Sequence, residues 1–274
     1  MAHEHGHHHQ HGQPSGDLAE ILDLDAEVLR DYYAEVIGWA GSLVGDRPRI
    51  VDLGAGTGVG TIALARHLPT AEVTAVDMDE EMLAGLRHRA DAAGVGDRVR
   101  TVQADLDGDW PALGPADLVW ASASMHHLAD PARTLARVHD VVRPGGAFMI
   151  SELDAFPRFL TDPAGVALEQ RAHDELALMR REHGMHMGED WGALLKTAGF
   201  ALEGERRFDI ELRPPLPASA LRYAQATLQR TVPRLVGRLS ADEVAGLTAY
   251  AENLADRDDL VVRSTRMVWI GRRP

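Results

Sequence analysis

No cysteine occurs anywhere in the 274 residues, which removes disulfides, thiolate metal ligands and a cysteine nucleophile together. The same absence is compatible with a reducing compartment, so the cytoplasm is the expected location. No apolar run reaches the roughly 18 residues a membrane span needs, and the N-terminus lacks the apolar stretch of a secretory leader. No membrane partner is expected. Positive charge is scarce: 28 Lys and Arg against 42 Asp and Glu give a formal charge of −14. Such a chain has no broad basic face with which to displace counterions from a phosphate backbone, which argues against a nucleic-acid partner. Arg206-Arg207, Arg213 and Arg272-Arg273 are small local exceptions that read as solvated surface. A small neutral or cationic ligand suits this charge balance better.

What is present is a glycine-rich turn. Val51-Asp52-Leu53-Gly54-Ala55-Gly56-Thr57-Gly58 closes the apolar run Arg49–Leu53 and opens a helix at Gly60. Three glycines at alternate positions let the backbone turn sharply and approach a ligand with no Cβ in the way. The helix that follows then points its free N–H groups at that ligand. Alone, such a turn serves many nucleotide sites. Further strands are expected at Ala71–Asp77, Arg98–Ala104, Asp117–Ser122 and Ala147–Glu152, the last preceded by the turn Arg143-Pro144-Gly145-Gly146. Helical segments separate them, which implies a parallel sheet with right-handed crossovers.

Asp77 ends the second strand where a carboxylate can take both hydroxyls of a ribose. Its spacing from Gly56 suits a dinucleotide equally well, whereas Asp52 discriminates. It lies inside the end of the first strand and places a negative charge where a pyrophosphate would be repelled. A ligand with an ammonium and a sulfonium would be attracted there.

At these residues the sequence resembles the class I S-adenosylmethionine-dependent methyltransferases, and among them the small-molecule branch often called type 11. VDLGAGTG is similar to their first motif, Ala75-Val76-Asp77-Met78-Asp79 to the second and Gln103-Ala104-Asp105-Leu106 to the third. Met125-His126-His127-Leu128-Ala129-Asp130-Pro131 and the stretch from Leu135 to Gly146 resemble the remaining two. The likeness is close over residues 46–155 and loose beyond them. It implies a Rossmann-like, doubly wound α/β fold with a seven-stranded sheet whose last strand is antiparallel, N-terminal helices and a helical cap. It further implies S-adenosyl-L-methionine as cofactor: Asp52, Gly54, Ala55 and Gly56 at the methionine end, Asp77 on the ribose, Met78 on the adenine and Asp105 on the adenine amino group. Ala104, Leu106 and Ser122 are assigned to the same surface.

Three other regions complete the organisation. Residues 1–16 hold His3, His5, His7, His8, His9 and His11 among Gly, Gln and Pro, a composition expected to be disordered. It reads as metal capture, a purification tag or a tolerated low-complexity start. From Ala26 to about Leu43 a helical period recurs, with Asp25 as its expected N-cap. A helix here in the resembled family lies over the cofactor, so Tyr33 is assigned to the methionine carboxylate and Tyr32 to the acceptor, with plain packing open for both. After the fifth strand, a helix is expected at Glu189–Ala198, and strands at Phe200–Leu212 and Val261–Gly271. The methyltransferase domain would span 46–274, after N-terminal helices at 17–45. Inserts at 155–188 and 214–258 would cap the carboxyl ends of the strands, where open α/β sheets bind ligands.

Methyl transfer from a sulfonium is an in-line displacement that positioning can largely catalyse, with a base needed when the acceptor is an alcohol, phenol or charged amine. His126 and His127 follow the fourth strand directly and are the candidate bases, with His127 the better match to the family position. Glu152 and Asp154 can bind a cationic acceptor or cap a turn. His186, in His183-Gly184-Met185-His186-Met187, is assigned to the acceptor pocket; a metal shared there is the weaker alternative, so no metal ligands are assigned. Arg222 and Tyr223 are assigned to the acceptor through the cap. The function expected is methylation of an oxygen or nitrogen of a small molecule, with a homodimer left open. The alternatives are a fold relative that binds the cofactor for a non-methylating reaction and a metal-binding protein acting through its tail.

Overall fold

Each short apolar run bounded by turn residues becomes a strand, and the strands alternate with helices as their spacing requires. A computed structural model describes residues 15–274, with side chains from residue 18 onward. In chain order the elements are α1 (Ser15–Val28), α2 (Arg30–Ser42), β1 (Arg49–Leu53), α3 (Val59–His67), β2 (Glu72–Asp77), α4 (Glu80–Ala92), β3 (Val99–Gln103) and β4 (Ala116–Ser122). They continue with α5 (Pro131–Val141), β5 (Val142–Leu153), α6 (Pro163–Glu182), α7 (Trp191–Thr197), β6 (Ala201–Leu212), α8 (Ala220–Thr231), α9 (Ala241–Asn253) and β7 (Val262–Arg272). The seven strands form one sheet in the order β3-β2-β1-β4-β5-β7-β6. Pairing is parallel from β3 to β5, and β7 runs antiparallel to both of its neighbours. The fold is therefore the Rossmann-like doubly wound sheet with an antiparallel last strand. Its order reverses between β1 and β4, which opens a cleft at their carboxyl ends.

Register matters at that cleft. Asp52 on β1 pairs with Trp120 on β4, so the two side chains leave the sheet on the same face, one strand apart. The core lies on both sides of the sheet: Ile50, Leu118 and Met149 face α2 and α3, while Val119, Phe148 and Ile150 face α5 and α7.

Local details depart from the sequence expectation where tertiary partners intervene. The Arg143–Gly146 turn does not precede β5 but lies inside it as a bulge: Ala116 pairs with Val142, then Leu118 with Ala147. Gly145, at φ +73°, donates its N–H to Arg273 O at 2.8 Å, so the C-terminus absorbs the extra residues. The expected helix over Ala26–Leu43 is two helices joined at Leu29, and Asp25 is not an N-cap. Asp25 sits within α1, 7% exposed, and accepts from Tyr33 Oη at 3.0 Å, from Tyr223 Oη and from Arg266 Nη2 at 2.6 Å. A buried carboxylate with three side-chain donors is committed to those partners rather than to a helix end. The helix expected at 189–198 is shorter, Trp191–Thr197, with Asp190 capping it through Ala193 N at 2.9 Å.

Both inserts are largely helical. Asp162 caps α6 through Gly165 N, and Ser240 with Glu243 forms a reciprocal capping box on α9. Leu176 of α6, Val232 and Leu235 of the turn after α8, and Leu247 of α9 share one apolar cluster, the cap's own small core. Within the tail reading, Ser15 and Gly16 belong to α1, and residues 1–14 lie outside the described residues. Among the described residues no helix is long and apolar enough to cross a membrane.

Candidate active site

The glycine turn is clamped from beneath. Gly54 N and Ala55 N both donate to Val76 O on β2, at 2.8 and 3.0 Å. Gly54, at φ +69°, has no room for a side chain: a Cβ there would stand 2.4 Å from Ser124 Cβ. Ser124, in the loop after β4, donates its hydroxyl to Leu53 O at 2.8 Å, which ties the β1 and β4 lips together. Asp77 at the end of β2 accepts from Gly56 N at 2.8 Å and from Asp79 N at 3.0 Å. Backbone donors thus fix its carboxylate against the turn, beside the space a ribose would take.

Inside the turn, Asp52 is 2% exposed and accepts from Thr61 Oγ1 at 2.6 Å. Burial drives its carboxyl up to about 7; the Thr61 hydrogen bond opposes this and the Asp77 charge adds to it. Asp52, Gly54, Ala55, Gly56 and Ser122 line one cavity, together with Leu22 of α1, Tyr33 of α2 and Trp120 of β4. Leu22 lies 3.4 Å from where a Cβ of Gly56 would stand, so α1 covers the turn. Ala123, also lining the cavity, holds a left-handed φ of +53°, a conformation costly for a residue with a side chain and characteristic of functional loops.

The other residues assigned to the cofactor from the sequence gather at the ends of β2 and β3, outside that cavity's walls. Met78 is 56% exposed, and its carbonyl accepts from Gln103 Nε2 at 3.1 Å. Ala104 is buried and donates to Asp77 O at 2.9 Å. Asp105 is exposed and accepts from Asp107 N at 2.9 Å. Leu106 packs with the apolar cluster behind. An exposed apolar Met78 beside the Asp77 carboxylate is the arrangement an adenosine would cover.

Beyond β4 the two histidines part company. His126 is 5% exposed, and its Nδ1 lies 2.6 Å from Glu152 Oε2. The other carboxylate oxygen, Glu152 Oε1, accepts from Ser124 N at 3.0 Å and Met125 N at 2.7 Å. Burial pushes the Glu152 carboxyl up, but the His126 charge and these hydrogen bonds outweigh it and hold it below the usual range. His127 is solvent-exposed, its ring 4.1 Å from that of His126. Desolvation, then the charges of His126 and Arg234, bring it down to about 4 against the opposing charge of Glu152. Glu152 therefore does not stand ready for a cationic acceptor; both its oxygens are spent on holding His126 and the loop. His186 donates its backbone N–H to His126 O at 2.9 Å, and its ring faces Glu189 at 3.8 Å.

Four assigned aromatic and basic residues have other work. Tyr32 Oη is 2.6 Å from Ser151 Oγ in the core, edge-on to Phe208, so it does not reach an acceptor. Tyr33 lines the cavity but gives its proton to Asp25. Tyr223 is 2% exposed and gives its proton to Asp25 too. Arg222 forms a bidentate pair with Glu20, both contacts at 2.6 Å. Arg222 and Tyr223 thus tie α8 to α1 through Glu20 and Asp25. Sequence reasoning missed Ser124, Trp120 and Arg234. Only Ser124 carried a local signal, in the polar run Ser122-Ala123-Ser124 closing a strand. Among the described residues no group of three or more His, Asp or Glu is placed to hold a metal.

With this geometry in view, residues 50–146 match the family described as "Methyltransferase domain". The trans-aconitate 2-methyltransferase of Azoarcus sp. (strain BH72) is 35% identical over 119 residues, 43% of this chain and 43% of that protein. The chain spans 28% to 51% of the length of the first curated relatives it matches. Among solved structures, geranyl diphosphate methyltransferase in complex with SAM superposes with a TM-score of 0.55 at 16% identity, covering 96% of this chain and 93% of the other. A SAM-dependent methyltransferase from Geobacter sulfurreducens, in complex with S-adenosyl-L-homocysteine, gives 0.52 at 19% identity, covering 88% and 91%.

Proposed function

We propose that this chain, whose residues 50–146 match a methyltransferase domain, is an S-adenosylmethionine-dependent methyltransferase of the class I kind that methylates an oxygen or nitrogen of a small molecule. The observation that carries the reading is Asp52, a buried carboxylate on the wall of the glycine-turn cavity. A pyrophosphate there would meet like charge in a low-dielectric site, while the amino-acid end of S-adenosylmethionine brings an ammonium. The turn's missing side chains and the fixed Asp77 carboxylate fit the rest of that cofactor. When bound, it supplies a methyl group on a positively charged sulfur.

The chain's own contribution is position and one proton site. Glu152, accepting from His126 Nδ1, holds the imidazole so that in its neutral form Nε2 is left to accept a proton, the arrangement of a base oriented by a carboxylate. That geometry supports His126 over His127 as the base. The cap favours an electron-rich or anionic acceptor. Arg234 acts on His127, and Arg180 lies 4.8 Å over the Phe156 ring with Nη1 buried and unpartnered among the described residues. The anionic trans-aconitate named for the relatives agrees in charge, against the neutral or cationic ligand that the net charge alone suggests.

Calorimetric titration tests the first half: S-adenosylmethionine and S-adenosylhomocysteine should bind and NAD and NADP should not. A panel of small carboxylate, phenol and amine acceptors, scored by release of S-adenosylhomocysteine, tests the second. Cofactor binding with no release for any acceptor that binds would favour a non-methylating relative.

A further inference from the structure

We infer that the indole N–H of Trp120 is the donor that receives the α-carboxylate of the cofactor's methionine moiety, with Asp52 accepting from the neighbouring α-ammonium. This rests on the S-adenosylmethionine reading above and goes on to name the group that recognises one end of the ligand.

Three observations lead there. Trp120 is 1% exposed, yet its Nε1 has no hydrogen-bond partner among the described residues. A fully buried indole donor left without a hydrogen bond is unfavourable, so such a group calls for an explanation. Of the three tryptophans in that condition, Trp120 alone lines the glycine-turn cavity. Next, Gly60 lets α3 approach it closely. A Cβ on Gly60 would stand 2.8 Å from Trp120 Nε1 and 3.3 Å from Asp52 Oδ2, so one donor and one acceptor lie against the same glycine, and all three residues line the cavity. The pairing of Asp52 with Trp120 across β1 and β4 sets that spacing. A buried donor and a buried carboxylate on the wall of one cavity complement a zwitterion, whose two charges sit on one carbon.

Finally, the two tyrosine hydroxyls that could compete are engaged. Tyr33 Oη gives its proton to Asp25 at 3.0 Å, and Tyr32 Oη is paired with Ser151 Oγ. Gly54 N and Ala55 N donate to Val76 O, and Gly56 N to the Asp77 carboxylate, all on β2. The hydroxyls that the family resemblance offers for this carboxylate are therefore occupied, and the indole is not.

The test compares two ligands that share an adenosine and a thioether. S-adenosylhomocysteine carries the aminocarboxylate; 5′-methylthioadenosine lacks it. By calorimetry, Trp120→Phe should weaken S-adenosylhomocysteine roughly 10-fold and leave 5′-methylthioadenosine within about two-fold. In the unmodified protein, the Trp120 indole proton resonance should move downfield with S-adenosylhomocysteine and stay in place with 5′-methylthioadenosine, a readout that survives if the variant fails to fold. Equal losses for both ligands, no loss for either, or an indole proton that ignores the aminocarboxylate would overturn the assignment and leave a buried water as its partner. An unmodified protein that binds neither ligand would overturn the cofactor reading with it.

Discussion

Glu152 Oε2 and His126 Nδ1 stand 2.6 Å apart with both side chains almost wholly out of solvent, and Glu152 Oε1 gathers the N–H groups of Ser124 and Met125 as well. One carboxylate at the end of β5 thereby fixes an imidazole, its tautomer and the loop after β4.

Glu152→Gln should lower turnover roughly 100-fold, the scale of general acid-base work, while cofactor affinity measured by calorimetry stays within about two-fold. Because the Glu152 pKa is depressed in the fold, its contribution to stability is present above the unfolded carboxylate value and is lost as pH falls through the folded one. Urea titrations at pH 7 and pH 4 should therefore show the variant's deficit shrinking in acid. A variant with normal turnover would reduce the pair to a structural role.

His126→Ala should cost far more turnover than His127→Ala. His127, held to about 4, is neutral throughout the ordinary pH range, so any rate loss it causes by titration belongs near pH 4, where it gains a proton. A pH–rate profile with an acid limb near neutrality that disappears in His127→Ala, and not in His126→Ala, would return the role to His127.

Asp52, raised to about 7, links cofactor binding to a proton. A folded value above the ordinary 3.8 means that its contribution to stability is full below about pH 4 and is lost as pH rises through about 7. Asp52→Asn should raise the melting temperature of the cofactor-free protein at pH 8 and weaken S-adenosylhomocysteine. In the unmodified protein, ligand binding near pH 6 should release a proton, seen as a dependence of the calorimetric heat on buffer ionisation enthalpy, and should release none near pH 8.5. Absence of release at pH 6 would mean that Asp52 is already ionised.

Tyr223→Phe removes one of three donors on the buried Asp25 and should destabilise the fold by about 1–3 kcal/mol in urea. Arg222→Ala breaks an exposed pair with Glu20 and should leave the melting temperature nearly unchanged. Neither should alter the KM of the acceptor. A selective rise in that KM for Arg222→Ala would restore the cap role read from the sequence.

The sequence by itself determined the sheet and the glycine turn. The glycine turn, Asp52 within it and Asp77 at the next strand end are local chemistry: backbone angles, caps and periodicities act over a few residues and can be read in order. Side-chain partners could not be read that way. Asp25 looked like a helix cap because its neighbours are helical, and only the arrival of Arg266, 241 residues on, and Tyr223, 198 residues on, turned it into the centre of a buried network. Tyr32 and Tyr33 looked available until Ser151 and Asp25 took their hydroxyls. Trp120 looked like one more apolar strand residue, since an indole in a strand usually means packing. Its register beside Asp52 and its indole N–H left without a partner among the described residues came only from the fold, because a hydrogen bond made or left unmade depends on what the whole fold brings within about 3 Å.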